Sequence, residues 1–119
     1  MRVVFCGQVP KDLKYPESTE DAVEIAHSEG RLAISDGASE SFDSKTWAQL
    51  LVKNFARSPG LSSDWLSEVL RLYAASYDLS TLSWSKHAAF ERGSFATLLG
   101  LEMFPSHSAV DIISVGDSL

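Results

Sequence analysis

A chain of 119 residues has room for one domain, and 45% hydrophobic and 10% aromatic residues, with three Trp, against 22% charged give it the makings of a core rather than of a disordered segment. The net charge of −6 argues against nucleic acid and against an anionic membrane surface, both of which need clustered Lys and Arg. A single cysteine, Cys6, excludes an internal disulfide and a cysteine-rich zinc site; with no spanning apolar run and no cleavable leader, a cytoplasmic location is expected.

The first apolar run, 3–6, reads as a short strand with Cys6 buried in it, followed by a Pro- and Lys-bearing loop over 10–16. Residues 22–26 and 31–35 are two short apolar runs separated by Ser28-Glu-Gly30, a turn signal, and are expected to pair as a hairpin that ends at Asp36-Gly37. Trp47, Leu50, Leu51 and Phe55 then fall at i, i+3, i+4 and i+8, one stripe of a helix. Ser41, Asp43 and Ser44 are candidate caps for it, and Pro59-Gly60 stops it. A second helix is expected from Ser63-Asp64, with Leu66, Val69, Leu70 and Tyr73 on one stripe. After a loop, a short helix is expected around 85–90. Two more strands follow over 95–103 and 109–115, joined by a turn containing Pro105. Hairpin-linked strands with grouped helices imply an α+β fold, a partial α-β-β-α sandwich of mainly antiparallel strands with two to three helices.

Turns place three acids together. Glu20-Asp21 immediately precedes one strand of the hairpin and Asp36 immediately follows the other. The carboxylates of Glu20, Asp21 and Asp36 are therefore expected to converge at one edge of the sheet, as hard cations such as Mg²⁺ or Mn²⁺ require of oxygen ligands. Gly37, lacking a side chain, lets its carbonyl approach the same ion. The plainer reading of the same spacing is two exposed loop charges and an Asp-Gly turn.

The resemblance to a known family rests on four segments. Glu20-Asp-Ala22 and Ala33-Ile-Ser-Asp-Gly-Ala38 resemble the first two motifs of the type 2C metal-dependent protein phosphatases. Gly93-Ser-Phe-Ala-Thr-Leu98 resembles their Gly-Ser/Ala-x-Thr strand motif, and Ser114-Val-Gly-Asp-Ser118 their Val-Gly-Asp-Ser motif. Trp84 and Lys86 resemble a bacterial branch. The four segments stand in the family's order and cover residues 1–119 as the N-terminal part of its domain, incomplete at the C-terminus. The resemblance implies a serine/threonine phosphoprotein phosphatase in which two divalent ions, Mg²⁺ or Mn²⁺, hold the attacking water, with no phosphoenzyme. It makes Asp36 the bridging ligand and Gly37 a carbonyl ligand. Glu20 and Asp21 would hold metal-bound waters, and Asp117 would serve a third, weaker metal. No side chain is the nucleophile. Ser94 and Thr97 are packing and hydrogen-bonding residues in this reading.

Two departures follow. The family commonly has Arg four residues before the Glu of its first motif; here that residue is Pro16, with Lys14 the nearest cation. The family's remaining metal aspartates lie in the second half of the domain. The isolated chain is accordingly expected to be inactive, and to need a complementary C-terminal half or to associate with itself. The alternative is a non-catalytic remnant or interaction module of the same fold. Gly116-Asp-Ser-Leu119 also spells a lipase and esterase motif with Ser118 as nucleophile, but no Asp in the chain has His three positions later, as that family requires. His27, His87 and His107 match no zinc-ligand spacing.

Overall fold

A computed structural model of the chain describes residues 6–8, 14, 19–39 and 41–116. Four strands and three helices follow one another as β1 (Ala22–Ala26), β2 (Arg31–Ser35), α1 (Ser44–Arg57), α2 (Ser63–Ala75), α3 (Trp84–Arg92), β3 (Leu98–Phe104) and β4 (Ala109–Val115). The strands form one antiparallel sheet in the order β1-β2-β3-β4. The fold is α+β, as the hairpin and helix patterns imply. The strand expected over 3–6 falls largely outside the described residues. Cys6 is described, and it is exposed and outside any strand, which corrects its reading as a buried strand residue.

The pairing Ala22↔Ser35 through Ala26↔Arg31 fixes which side chains share a face. Ala33 and Gly100 are direct partners on the inner face, and α1 lies across them. Gly100 is where the helix comes closest: a Cβ there would sit 2.4 Å from Phe55 Cζ, so the ring rests on bare backbone. Phe55 is 1% exposed, and its burial is worth about 1.5–3 kcal/mol. Trp47, Leu51 and Val52 complete the face of α1 that meets the sheet. At the far end of the helix Arg31 donates to Glu102 Oε2 (2.7 Å) and to the carbonyls of Ala56 and Arg57 (3.1 and 3.0 Å). A cation is thereby set at the negative end of the helix dipole, tying α1 to β2 and β3.

The second stripe behaves differently from the first. Val69 and Tyr73 are buried, whereas Leu66 and Leu70 are exposed. The reason is that α2 packs chiefly on α1, so only the centre of its apolar face is covered. Its cap is Ser62, whose hydroxyl accepts from Trp65 N–H. On the opposite face of the sheet the register lines up Val23, Ile34 and Leu99, then Ile25, Leu32, Leu101 and Ile112. No described helix covers this apolar face, and Ile112 on it is 63% exposed. The described residues thus form two layers, helices over one side of a sheet, rather than a closed sandwich. Among them no helix is long and apolar enough to cross a membrane.

Candidate functional site

Asp36 stands one residue beyond β2, where the hairpin register is about to run out. Since Ala22 pairs with Ser35, the next residues across the hairpin are Asp21 and Asp36, then Glu20 and Gly37. The approach is close enough to need glycine. A Cβ at Gly37 would lie 2.7 Å from the Glu20 carbonyl oxygen and 3.0 Å from Ser44 Oγ. The backbone of the Glu20-Asp21 segment therefore runs beside Asp36-Gly37, as the turn argument predicts.

On the other side the site is held by the segment leading into β3. Thr97 N–H donates to the Asp36 carbonyl (2.9 Å), and Asp36 N–H donates to Thr97 Oγ1 (3.1 Å). Ser35 Oγ donates to the Thr97 carbonyl (2.5 Å). Ala38 N–H donates to the Phe95 carbonyl (2.9 Å), which closes an antiparallel bridge between Gly37 and Ala96. In such a bridge the bonds belong to the flanking residues, so Gly37 turns its own N–H and C=O away from Ala96, toward the Glu20 side. Thr97 also meets the fourth segment: a Cβ at Gly116 would lie 2.9 Å from Thr97 Cγ2. Four stretches far apart in sequence thus meet at one end of the sheet. Asp117 and Pro16 lie outside the described residues.

Below this end an aromatic cluster fixes the start of α1. Phe42, Tyr73, Tyr77 and Phe90 pack with ring centroids 5.1–6.0 Å apart. Asp43 caps α1 from a left-handed backbone (φ 39°), accepting from Thr46 N–H and from the Tyr77 hydroxyl (2.6 Å). Burial first, and then donation to Asp43, hold the Tyr77 phenol well above its ordinary value. Ser94 Oγ bonds both Tyr73 OH and the Phe42 carbonyl, which anchors the 94–97 segment to the helix start. Ser94 and Thr97 are thus positioning residues, as expected from their motif.

Among the described residues no three His, Cys, Asp or Glu side chains form a metal-holding group, so Glu20, Asp21 and Asp36 are neighbours along the backbone without forming a closed ligand set. The donors that face the site suit a hydrated hard cation all the same: the exposed Asp36 carboxylate and the Gly37 carbonyl are oxygens, and Mg²⁺ keeps several waters when protein ligands are few. Beside Gly37, the buried Ser44 hydroxyl has no hydrogen-bond partner among the described residues, an opening for one more oxygen. Asp36 joins two clefts. One, of about 550 Å³, is lined by Gly7, Gln8, Asp21 and the outer face of the hairpin. The other, of about 440 Å³, is lined by Gly37, Ala38, Phe95 and Thr97.

Two features were not legible in the sequence. The Tyr77–Asp43 bond joins residues 34 apart with no local signal. Arg92 ends α3, where a cation suits the negative end of the helix dipole, and it lines a cleft with Ala38, Ser41 and Phe42, far away in sequence. Comparisons with protein-family models, curated proteins and solved structures found no significant match.

Proposed function

We propose that the chain carries part of the catalytic end of a metal-dependent serine/threonine phosphoprotein phosphatase of type 2C. The observation that supports this most is the meeting of all four resemblance segments at one end of the sheet: Glu20 against Gly37, Asp36 bonded to Thr97, and Thr97 against Gly116. The hairpin joins the first two, but no local signal brings the third and fourth to them.

In this reading Asp36 supplies the carboxylate and Gly37 the carbonyl that would hold divalent ions, with Glu20 and Asp21 orienting their waters. Bound there, Mg²⁺ or Mn²⁺ would lower the pKa of a water and neutralise the phosphoryl oxygens. Thr97 fixes the Asp36 backbone from behind. The test is Mn²⁺-dependent hydrolysis of a phosphothreonine peptide by the full-length gene product. Asp36→Asn abolishes it, whereas Ser118→Ala leaves it largely intact; the reverse pattern sinks the phosphatase reading and restores the esterase one.

A second reading, a non-catalytic interaction module, draws on the open apolar sheet face, which suits a docking surface. It predicts no turnover in any variant.

A further inference from the structure

We propose that Arg92 and the cleft it lines bind an anionic side chain of the substrate peptide, beside the residue whose phosphate is handled at Asp36–Gly37. The proposal rests on the phosphatase reading. It starts from a third cleft, of about 290 Å³, lined by Ser41, Phe42, Ala89, Arg92 and Gly93, which shares Ala38 and Phe95 with the 440 Å³ cleft at Asp36 and Gly37. The shared wall is fixed on both sides. Ala38 N–H donates to the Phe95 carbonyl (2.9 Å), Phe95 N–H donates to Ser41 Oγ (3.0 Å), and Ser41 Oγ donates to the Ala38 carbonyl (2.8 Å). The two clefts are therefore neighbouring rooms with a rigid partition, and Phe95, 62% exposed, presents an apolar ring on it.

Arg92 is the last residue of α3, and its guanidinium has no hydrogen bond or ion pair among the described residues. Among the described residues no acid lines its cleft. The neighbouring Glu91 lies 3.6 Å from His87 and makes no ion pair with Arg92. On a chain of net charge −6, this sets a cation with no carboxylate partner among the described residues at the rim of a cleft. A guanidinium presents a planar fork that matches a carboxylate or a phosphate in two parallel bonds. An extended peptide lays alternate side chains, about 6.6 Å apart, on one side, so adjoining clefts take residues near each other in its sequence. The bound group is thus a carboxylate or a second phosphate flanking the phosphoresidue, with the Phe95 ring against its aliphatic stem.

The experiment uses dye-labelled phosphothreonine peptides carrying Glu, phosphoserine or Lys at each of the two positions on either side. Binding by fluorescence anisotropy and hydrolysis are both read with Mn²⁺. The acidic peptides bind more tightly than the Lys peptides by about tenfold, the effect of one charge-assisted bidentate contact. Arg92→Gln removes the preference and Arg92→Glu inverts it. Tighter binding of the Glu peptide assigns the site to a carboxylate, and tighter binding of the phosphoserine peptide to a second phosphate. A preference that survives Arg92→Gln overturns the proposal even if Asp36-dependent hydrolysis is intact. An Arg92-dependent preference without hydrolysis by the full-length gene product upholds Arg92 as the anion contact and defeats the phosphatase reading instead.

Discussion

Thr97 closes two hydrogen bonds onto one residue, accepting from Asp36 N–H through Oγ1 (3.1 Å) and donating to the Asp36 carbonyl through its own N–H (2.9 Å). Only the first depends on the side chain. Thr97→Val keeps the shape and removes the hydroxyl, leaving the Asp36 N–H without its partner. The expected loss is about 1–2 kcal/mol in urea unfolding, together with weaker Mn²⁺ binding. Thr97→Ser retains both properties. Equal behaviour of the Val and Ser variants would show that the clamp does not matter.

Gly37→Ala tests the close approach of the two motif backbones. The added methyl would meet the Glu20 carbonyl at 2.7 Å, and that oxygen is backbone, so the strands must part. Overpacking of this kind costs about 1–3 kcal/mol. Amide shifts confined to residues 19–22 and 36–38 are expected in NMR spectra, with the rest of the sheet unchanged.

Gly100→Ala probes the core in the same way but far from the site. Its methyl would overlap the Phe55 ring, lowering stability by about 1–3 kcal/mol. Phe55→Leu costs stability alone, yet combined with Gly100→Ala it recovers part of the loss. Strict additivity in the double mutant cycle would contradict the ring-on-glycine packing.

These cases mark how far the sequence could be read. The hairpin, the Trp47 stripe and the 109–115 strand were legible because apolar spacing and turn residues are local signals. The position of Asp36 and Gly37 directly after a strand and beside Glu20-Asp21 was legible for the same reason. The clamp by Thr97 and the contact of Gly116 with it depend on a register across β2, β3 and β4, which no single stretch encodes. Leu66 and Leu70 show the opposite failure: their spacing is helical, but which part of a stripe is buried depends on the neighbouring layer.

Tyr77 gives a pH dependence. Its phenol is held above the ordinary 10.0 by burial and by donation to Asp43. The folded state therefore keeps a proton that the unfolded chain releases. This contribution is fully present below about pH 10 and is lost as the pH rises above that value. Tyr77→Phe should lower stability at neutral pH by about 1 kcal/mol and make the alkaline decline shallower. An unchanged alkaline slope in thermal melts would contradict the Tyr77–Asp43 account.

The central claim is that Asp36 and Gly37 face a divalent-cation site shared with Glu20 and Asp21. Paramagnetic broadening by substoichiometric Mn²⁺ in ¹⁵N-resolved spectra of this chain tests it directly. The account predicts early loss of the amide signals of Glu20, Asp21, Asp36 and Gly37, reversal by excess Mg²⁺, and no such loss in Asp36→Asn. Broadening that starts at other acidic positions, or that persists unchanged in Asp36→Asn, would contradict it.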